Sequence, residues 1–336
     1  MQGFLQNTSS GLYCPAGDFF IDPWAPVDRA VITHAHADHA RYGSRSYLAT
    51  PRCCRILQER LGPQIHTDPL HFSEPRKIGD VTLSLHPAGH VLGSAQIRIE
   101  SHGQIAVVTG DYKRGRDPTT EPFEPLRCHL LVTESTFGLP IYRWPDPASV
   151  RAEINTWWRE NRDAGRTSIL LGYAFGKAQR LLSMLDPDIG PILLHGAVDR
   201  LTSVYRECGI PLPDTQPASL ENAKAFRGQA IVIAPPSAAG SPWVRKFEPC
   251  SLAMASGWML VRGTRRRRGF DRGFVLSDHV DWPELLQTID ESGAEQVWVT
   301  HGYREAVVRY LTEQGRSAQS LETRFEGHAA EENEPA

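Results

Sequence analysis

Short apolar runs rich in β-branched residues recur along the chain between turn residues. Runs of this length and composition predict buried strands. They lie at 81–85, 105–108, 130–132, 169–171, 192–194, 230–234, 274–276 and 297–299. Stretches with helical periodicity alternate with some of them, at 147–162, 177–185, 283–292 and 303–314. This alternation predicts an α/β fold.

Several predicted strands end in a small residue followed by a side chain that can bind metal or carry a proton. These side chains are His90, Asp111, Glu134, His279 and His301. In α/β proteins, active sites collect where strands end and loops begin. A single histidine in such a place is more often a loop residue with a satisfied hydrogen bond, but the repeated pattern indicates a functional site.

The densest group of potential ligands is the run 33–39, Thr-His-Ala-His-Ala-Asp-His, directly after the apolar residues 30–32. Imidazole together with carboxylate suits zinc, manganese or iron. Because alanine spacers let the flanking rings converge, we favour a metal site over a polar loop that is merely rich in histidine. Four ligand-type side chains would crowd one tetrahedral ion, so the run predicts two neighbouring ions.

The histidine-rich run and the strand ends together supply seven predicted metal ligands. We expect one ion at His34, His36 and His90, a second at Asp38, His39 and His301, and Asp111 as the bridge between them. Two ions about 3.5–4 Å apart can share a hydroxide that attacks a scissile phosphate, and they stabilise in-line phosphoryl displacement. Such a site predicts hydrolysis without choosing between an amide, a thioester and a phosphodiester.

Several other polar residues near the predicted ligands are not needed to bind the two ions. We expect Glu134 to accept a hydrogen bond from a ligand histidine rather than to start a helix as an exposed carboxylate. We expect His279 to contact a phosphate oxygen or to protonate the leaving group, with Asp278 either competing for that role or capping the next helix. Asp22 supports the histidine-rich loop or is a plain turn residue before Pro23.

Composition is that of an ordinary globular protein. The 336 residues are 40% hydrophobic and 22% charged, with a net charge of −3, and they suffice for two domains. The six cysteines form no C-x-x-C pair, so we expect reduced thiols. With no long apolar run and no secretory pattern at the start, the sequence predicts a cytoplasmic protein without a membrane span.

A run of arginines precedes His279 and is the main candidate for binding a phosphate backbone. Its members are Arg262, Arg265, Arg266, Arg267, Arg268 and Arg272. Phosphate contacts dominate nucleic-acid affinity, and arginine makes bidentate contacts with phosphate. The alternative is a solvated loop, because most runs of charged residues lie on solvent-exposed loops without binding a partner. Lys177, at a predicted helix start after Gly176, is a second candidate for a phosphate.

The metal-binding pattern resembles that of the metallo-β-lactamase superfamily and, within it, of the β-CASP nucleases. Residues 34–39 resemble the first superfamily motif, and His90 and Asp111 resemble the next two. The β-CASP nucleases have three additional motifs, and the positions that resemble them in this chain are Glu134, His279 and His301. The resemblance implies zinc or manganese at the site, with His279, Glu134 and Asp38 as catalytic residues.

The segments 173–182 and 255–259 resemble parts of the domain that β-CASP proteins insert between their motifs. The resemblance therefore implies a four-layer αββα metallo-β-lactamase domain at 1–145 and 273–325, with an α/β β-CASP domain at 146–272. The remaining residues, 326–336, are polar and acidic and predict a disordered tail.

Within the family, the segments 11–15, 21–24 and 277–282 resemble bacterial ligase-associated DNA exonucleases. This implies a role in DNA repair beside an ATP-dependent DNA ligase and a helicase. A β-CASP ribonuclease remains the alternative, because His301 is also present in RNA-processing members. A small-molecule metallohydrolase would need neither the insert nor the additional Glu134 and His279. An inactive scaffold would be expected to lack ligands, and every predicted ligand is present.

Overall fold

The computed structural model of the chain describes residues 4–261 and 269–323. These residues form two compact units, one made of 4–143 with 279–323 and the other of 144–261 with 269–278. The sequence-based boundaries were 145/146 and 272/273, and the assignment of the second unit to a β-CASP domain stays a prediction. The predicted tail at 326–336 lies outside the described residues.

The strands and helices are numbered in chain order. The strands are Gln6–Thr8 (β1), Gly11–Cys14 (β2), Phe19–Ile21 (β3), Arg29–Val31 (β4), Ser46–Ala49 (β5), Thr67–Pro69 (β6), Arg76–Ile78 (β7), Val81–Pro87 (β8), Ala95–Ser101 (β9), Gln104–Val108 (β10), Leu130–Glu134 (β11), Thr167–Leu171 (β12), Ile192–Leu194 (β13), Gln216–Pro217 (β14), Ile231–Ala234 (β15), Cys250–Ala255 (β16), Arg272–Phe274 (β17), Gln296–Thr300 (β18) and Ser317–Ser320 (β19). The helices are Pro51–Leu61 (α1), Pro147–Asp163 (α2), Lys177–Met184 (α3), Gly196–Glu207 (α4), Leu220–Ala225 (α5), Trp282–Ser292 (α6) and Arg304–Glu313 (α7).

The first unit contains two sheets that share one apolar core. One sheet has the order β1-β2-β3-β4-β5-β6 and the other β19-β18-β11-β10-β9-β8-β7. Side chains such as Ile21 and Val31 from the first sheet pack with Leu83, Ile97 and Val132 from the second. Alternate residues of each strand face this core, so the two sheets hold the loops at their ends in fixed positions.

The other face of the second sheet packs against α6 and α7. Val107, Leu131 and Val299 from the sheet contact Leu285 and Leu311 from these helices in a second apolar cluster. The residue before α6 is Asp281, whose carboxylate accepts a hydrogen bond from the backbone N–H of Glu284. Asp281, rather than Asp278, therefore caps this helix.

The second unit is built on a parallel sheet with the order β14-β13-β15-β12-β16-β17. Every residue of β12 and β15 is buried, as expected for parallel strands covered on both faces. The helix α2 contacts β12 and β17, and α3 contacts β15. The apolar runs at 169–171 and 230–234 are thus explained by burial in the centre of this sheet.

The mixed α/β class is confirmed, and each predicted strand and helix overlaps an observed one. The strand predicted at 274–276 was wrong at its end, because β17 stops at Phe274 and the Leu276 carbonyl instead accepts a hydrogen bond from Lys177 Nζ. Most of the first sheet was missed. Its strands are three or four residues long, so they leave no periodic signal in the sequence.

The six cysteines are all thiols, and Cys14, Cys53, Cys54 and Cys128 are buried. Burial raises the pKa of Cys54 to about 11 and that of Cys128 to about 12, because an apolar environment disfavours the thiolate. Within the described residues, no helix combines the length and apolarity needed to cross a membrane.

We predict that the folded protein reacts with a thiol reagent at no more than two positions, the half-buried Cys208 and Cys250. The thiolate is the reactive form, and it is disfavoured and shielded at the other four positions. The measurement is a time course with Ellman's reagent at pH 8, with and without guanidinium chloride. A Cys208→Ser/Cys250→Ser variant should lose the fast phase. Equal reaction rates for six thiols in the folded state would contradict the prediction.

Candidate metal centre

The candidate ligands meet because strand ends meet at one edge of the second sheet. β10, β11 and β18 are parallel neighbours, with Val108 opposite Val132 and Glu134 opposite Thr300. Asp111 follows the first of these strands and His301 follows the last. Register alone therefore brings the two residues to the same edge.

The histidine-rich loop approaches this edge through a close contact at Gly110. This glycine has φ +57°, and a Cβ atom on it would lie 2.6 Å from Thr33 Cβ. The Thr33 carbonyl also accepts a hydrogen bond of 2.8 Å from the backbone N–H of Ala95 on β9. A larger residue at position 110 would push the loop away from Asp111, so only glycine fits there.

His34, His36 and His90 converge on one point with Asp111. The ligand atoms of these four residues all lie within 4.8 Å of one another. His36 Nδ1 is 3.0 Å from His34 Nε2 and 3.1 Å from His90 Nε2. Nitrogens about 2.0–2.1 Å from one ion would be about 2.9 Å apart at a right angle and about 3.3 Å apart at the tetrahedral angle. The observed spacing lies between these limits and fits a shared ion.

His39 and His301 form a second group that uses the same aspartate. Their ligand atoms and that of Asp111 also lie within 4.8 Å of one another, and His39 Nε2 is 3.4 Å from Asp111 Oδ2. Asp38, the other residue predicted for this site, lies beside the group, with Oδ2 3.7 Å from His39 Nε2. The structure thus brings together the residues predicted for the two sites and places Asp111 between them.

Two buried atoms of this centre make no hydrogen bond. His39 Nε2 and Asp111 Oδ1 are buried without a hydrogen-bond partner, although buried polar groups in proteins are nearly always satisfied. A divalent cation would satisfy both of these atoms, so the residues present fit a metal centre.

The protonation states favour the same conclusion. Burial, together with the charges of His39, His90 and His36, holds the pKa of His34 well below its usual value, so His34 is neutral, as a ligand must be. Burial alone would lower the pKa of His39, but the carboxylates of Asp111, Asp38 and Asp22 outweigh it and raise that pKa well above its usual value. Carboxylates that favour a proton on His39 also favour a cation beside it.

The carboxylate of Asp22 holds the histidine-rich loop in place. Its Oδ2 lies 2.7 Å from His39 Nδ1 and 2.5 Å from Thr33 Oγ1, and its Oδ1 accepts a hydrogen bond of 2.8 Å from the Thr33 backbone N–H. The bond to His39 Nδ1 directs Nε2 of the same ring toward Asp111. The contacts match the predicted support of the loop rather than a plain turn aspartate. Thr33 was not predicted, and no signal in the sequence distinguishes it from an ordinary strand-end threonine.

Glu134 contacts His279 rather than one of the predicted ligand histidines. Its two carboxylate oxygens lie 3.0 and 2.9 Å from His279 Nδ1, and Oε1 also accepts from the backbone N–H of Tyr112 at 2.8 Å. Glu134 is fully buried at the end of β11, which excludes an exposed carboxylate at a helix start. Asp111, Glu134 and His279 form a third group with ligand atoms within 4.8 Å.

Lys177 is buried and engaged within the second unit. Its Nζ lies 2.8 Å from Asp278 Oδ2 and donates a 2.9 Å hydrogen bond to the Leu276 carbonyl. Arg180 Nη1 lies 2.9 Å from the other Asp278 oxygen. With 3% of its surface exposed, Lys177 serves this ion-pair network, so the prediction that it binds a phosphate finds no support. The same network holds the carboxylate of Asp278, and the helix cap that was one alternative for Asp278 is provided by Asp281.

The predicted arginine cluster lies mostly outside the described residues, which leaves Arg262, Arg265, Arg266, Arg267 and Arg268 as predictions. Arg272 is described, and its guanidinium lies 3.6 Å from Glu153 Oε2 and 5.4 Å from the ring centre of Phe274.

The two facing sheets, with His and Asp clusters at one end, are consistent with a metallo-β-lactamase fold. The chain is 32% identical over 316 residues to a probable DNA ligase of Opitutus terrae, a match that covers 93% of this chain and 30% of that protein. It is 28% identical over 270 residues to the endoribonuclease ysh1 of Aspergillus fumigatus, with 77% of this chain and 29% of that protein covered. The chain is thus a homologue of the β-CASP nucleases of the metallo-β-lactamase superfamily, which confirms the resemblance found in its motifs.

A third relative is the ribonuclease TTHA0252 of Thermus thermophilus, 27% identical over 194 residues, with 50% of this chain and 44% of that protein covered. The chain therefore spans less than half the length of each of these curated relatives. No family model matches it. The crystal structure of a protein of unknown function from Enterococcus faecalis V583 matches with a TM-score of 0.59 at 14% identity, covering 88% of this chain and 80% of that one. At this identity the likeness shows the fold alone.

We predict that Asp22→Asn weakens metal binding on the order of 10–100-fold, because the amide cannot hold the His39 ring as the carboxylate does. The measurement is a zinc titration against a competing chelator. Asp18→Asn is a matched control, because Asp18 shares the left-handed backbone of Asp22, with φ 52° against 43°, but its carboxylate contacts the Tyr13 hydroxyl instead. Equal zinc affinity for Asp22→Asn and wild type would remove Asp22 from the centre.

Proposed function

We propose that this chain is a dimetal phosphodiesterase that acts as a DNA exonuclease in DNA repair. The observation that carries the proposal is the pair of ligand groups that share Asp111, with the Glu134–His279 pair beside them. The nuclease names of several relatives support phosphodiester chemistry over amide or thioester hydrolysis.

His34, His36, His90 and Asp111 would hold one divalent ion. His39, Asp111 and His301, with Asp38 beside them, would hold the second. Zinc suits this nitrogen-rich set best, and manganese is the alternative. When bound, two such ions supply Lewis-acid stabilisation of phosphoryl oxygens and activate water as the nucleophile.

The Glu134–His279 pair supplies a proton for the leaving group in this proposal. An ionised carboxylate only accepts hydrogen bonds, so His279 Nδ1 donates to Glu134 and the ring is held in one orientation. The Tyr112 N–H fixes Glu134 in turn. A proton on His279 Nε2 is then available to the leaving oxygen, with Glu134 stabilising the charged ring.

DNA is favoured as the substrate because a probable DNA ligase matches 93% of this chain within 30% of its own length. The same match supports action beside a DNA ligase, whereas the ATP dependence of that ligase and the helicase rest on the motif resemblance alone. A β-CASP ribonuclease is the second candidate, supported by the relatives named as ribonucleases.

In the same proposal the first unit is a four-layer αββα metallo-β-lactamase domain. The core between its two sheets and the helices α6 and α7 on the outer face of the second sheet support this arrangement. The second unit, with its parallel sheet, would be the β-CASP domain.

The proposal is tested with the purified chain, loaded with zinc or manganese, against matched 5′- and 3′-labelled DNA and RNA strands. We expect DNA to be shortened from an end, with loss of activity in EDTA and recovery on metal addition. Faster cleavage of RNA would favour the ribonuclease, and the absence of cleavage of both polymers would overturn the phosphodiesterase assignment.

We predict that Asp111→Asn abolishes hydrolysis and lowers metal content while the fold persists. The carboxylate offsets the charge of two cations, which an amide cannot do. Elemental analysis reports the metal content, and circular dichroism reports the fold. Two retained ions with near-normal turnover would show that Asp111 is not the bridge.

We predict that His279→Ala keeps both ions but loses on the order of 10²–10⁴ in rate, the usual contribution of a positioned acid. His301→Ala should instead weaken occupancy of the second site. Both variants are compared by metal stoichiometry and by cleavage rate on one DNA end. If His279→Ala loses metal as fully as His301→Ala does, His279 is a ligand and its proposed role is wrong.

A further inference from the structure

We propose that Tyr42 and Arg45 form a platform for an unpaired nucleotide next to the metal centre, with Tyr42 stacked on a base and Arg45 bound to a phosphate. The inference rests on the proposed function, which it deepens by naming the form of nucleic acid that the site takes. The platform lies on the loop 40–46, Ala-Arg-Tyr-Gly-Ser-Arg-Ser, directly after the histidine-rich run.

Tyr42 presents an aromatic ring to solvent. It is 68% exposed, the highest value among the large exposed hydrophobic residues of the described chain. A single exposed aromatic residue is ordinary by itself. Its neighbours make this one informative, because Arg41 and Arg45 are also exposed, and aromatic rings between basic residues are how proteins hold single strands.

The loop that carries Tyr42 is held in place by buried groups. The hydroxyl of Tyr47, a residue that is 1% exposed, donates a 2.6 Å hydrogen bond to the Arg41 carbonyl and accepts one of 2.9 Å from the Ser44 N–H. The Arg45 N–H donates to the Val27 carbonyl at 2.9 Å. The ring of Tyr42 therefore stands on a fixed backbone, which lowers the entropy lost when a base stacks on it.

The charge around the loop is positive. The loop contains Arg41 and Arg45 and no acidic residue, and the segment 26–29 that bonds to it adds Arg29 and Asp28. All four of these charged residues are exposed. Three arginines against one aspartate suit a phosphate backbone.

The platform lies within reach of the reaction centre. Three Cα–Cα steps of 3.8 Å separate Tyr42 from His39, so the two Cα atoms are at most about 11 Å apart. The Ala40 N–H also donates to the His36 carbonyl at 2.9 Å, which ties the start of the loop to the ligand turn. A nucleotide stacked on Tyr42 would thus lie within a few nucleotides of a phosphate at the candidate metal centre. Inside a duplex both faces of a base are covered by its neighbours, whereas a base in a single strand or a frayed end has a face open to Tyr42, so the site should favour single-stranded or frayed ends.

The test uses the metal-loaded full chain and a fluorescein-labelled single strand with phosphorothioate linkages, with binding followed by fluorescence anisotropy. Tyr42→Ala should weaken binding on the order of tenfold, and Tyr42→Phe should bind as the wild type does, because stacking needs the ring and not the hydroxyl. Arg45→Ala should weaken binding and reduce the slope of log affinity against log salt by about 1. Arg309→Ala, at an exposed arginine paired with Glu313, is the control and should change neither.

The same variants are then compared in cleavage of single-stranded and blunt duplex DNA. We expect the wild type to cleave single-stranded DNA faster than blunt duplex DNA. In Tyr42→Ala this difference should disappear, because KM for single-stranded DNA rises while kcat changes little. If the wild type binds and cleaves DNA but Tyr42→Ala matches it in both assays, the platform is wrong while the proposed function stands. If the metal-loaded wild type neither binds nor cleaves nucleic acid, the proposed function fails and the platform fails with it.

Discussion

The structure of the first unit depends on the electrostatics around Asp111. This carboxylate is nearly buried, and four imidazole nitrogens lie 3.4–4.0 Å from its Oδ2. Burial alone would raise the pKa of Asp111, but positive charge on His39 and His279 holds that pKa well below its usual value. A concentration of polar atoms this dense in a protein interior is stable only when cationic charge balances it.

The architecture of the sheets is what allows such a centre to exist. Apolar side chains from two sheets form a core that fixes the strand ends, and the candidate ligands are placed on the short turns just beyond it. Two of these turns use left-handed backbone, at Gly110 with φ 57° and at His301 with φ 54°. A strained conformation at a residue other than glycine is maintained only where the surroundings determine it, and here the hydroxyl of Ser135 donates to the His301 carbonyl.

Buried ion pairs elsewhere in the chain show why residue type alone is a weak guide to function. Lys177 has the sequence context of a phosphate-binding lysine, yet it neutralises Asp278 together with Arg180. A buried carboxylate requires such partners as strictly as a bound phosphate would. Arg45 is exposed, so its charge is not needed to neutralise a buried carboxylate. Exposure therefore distinguishes Arg45 from Lys177, whereas residue type does not.

The sequence by itself predicted the α/β class, eight of the strands, four of the helices, and most of the residues that converge on the candidate metal centre. It could do so because long apolar runs and densely spaced ligands leave a local signal. The tertiary structure decided what depends on distant contacts: that Glu134 holds His279 rather than a predicted ligand histidine, and that Asp22 holds the ring of His39. These pairings join residues 17 to 145 positions apart, and sheet register rather than local sequence sets which partners meet.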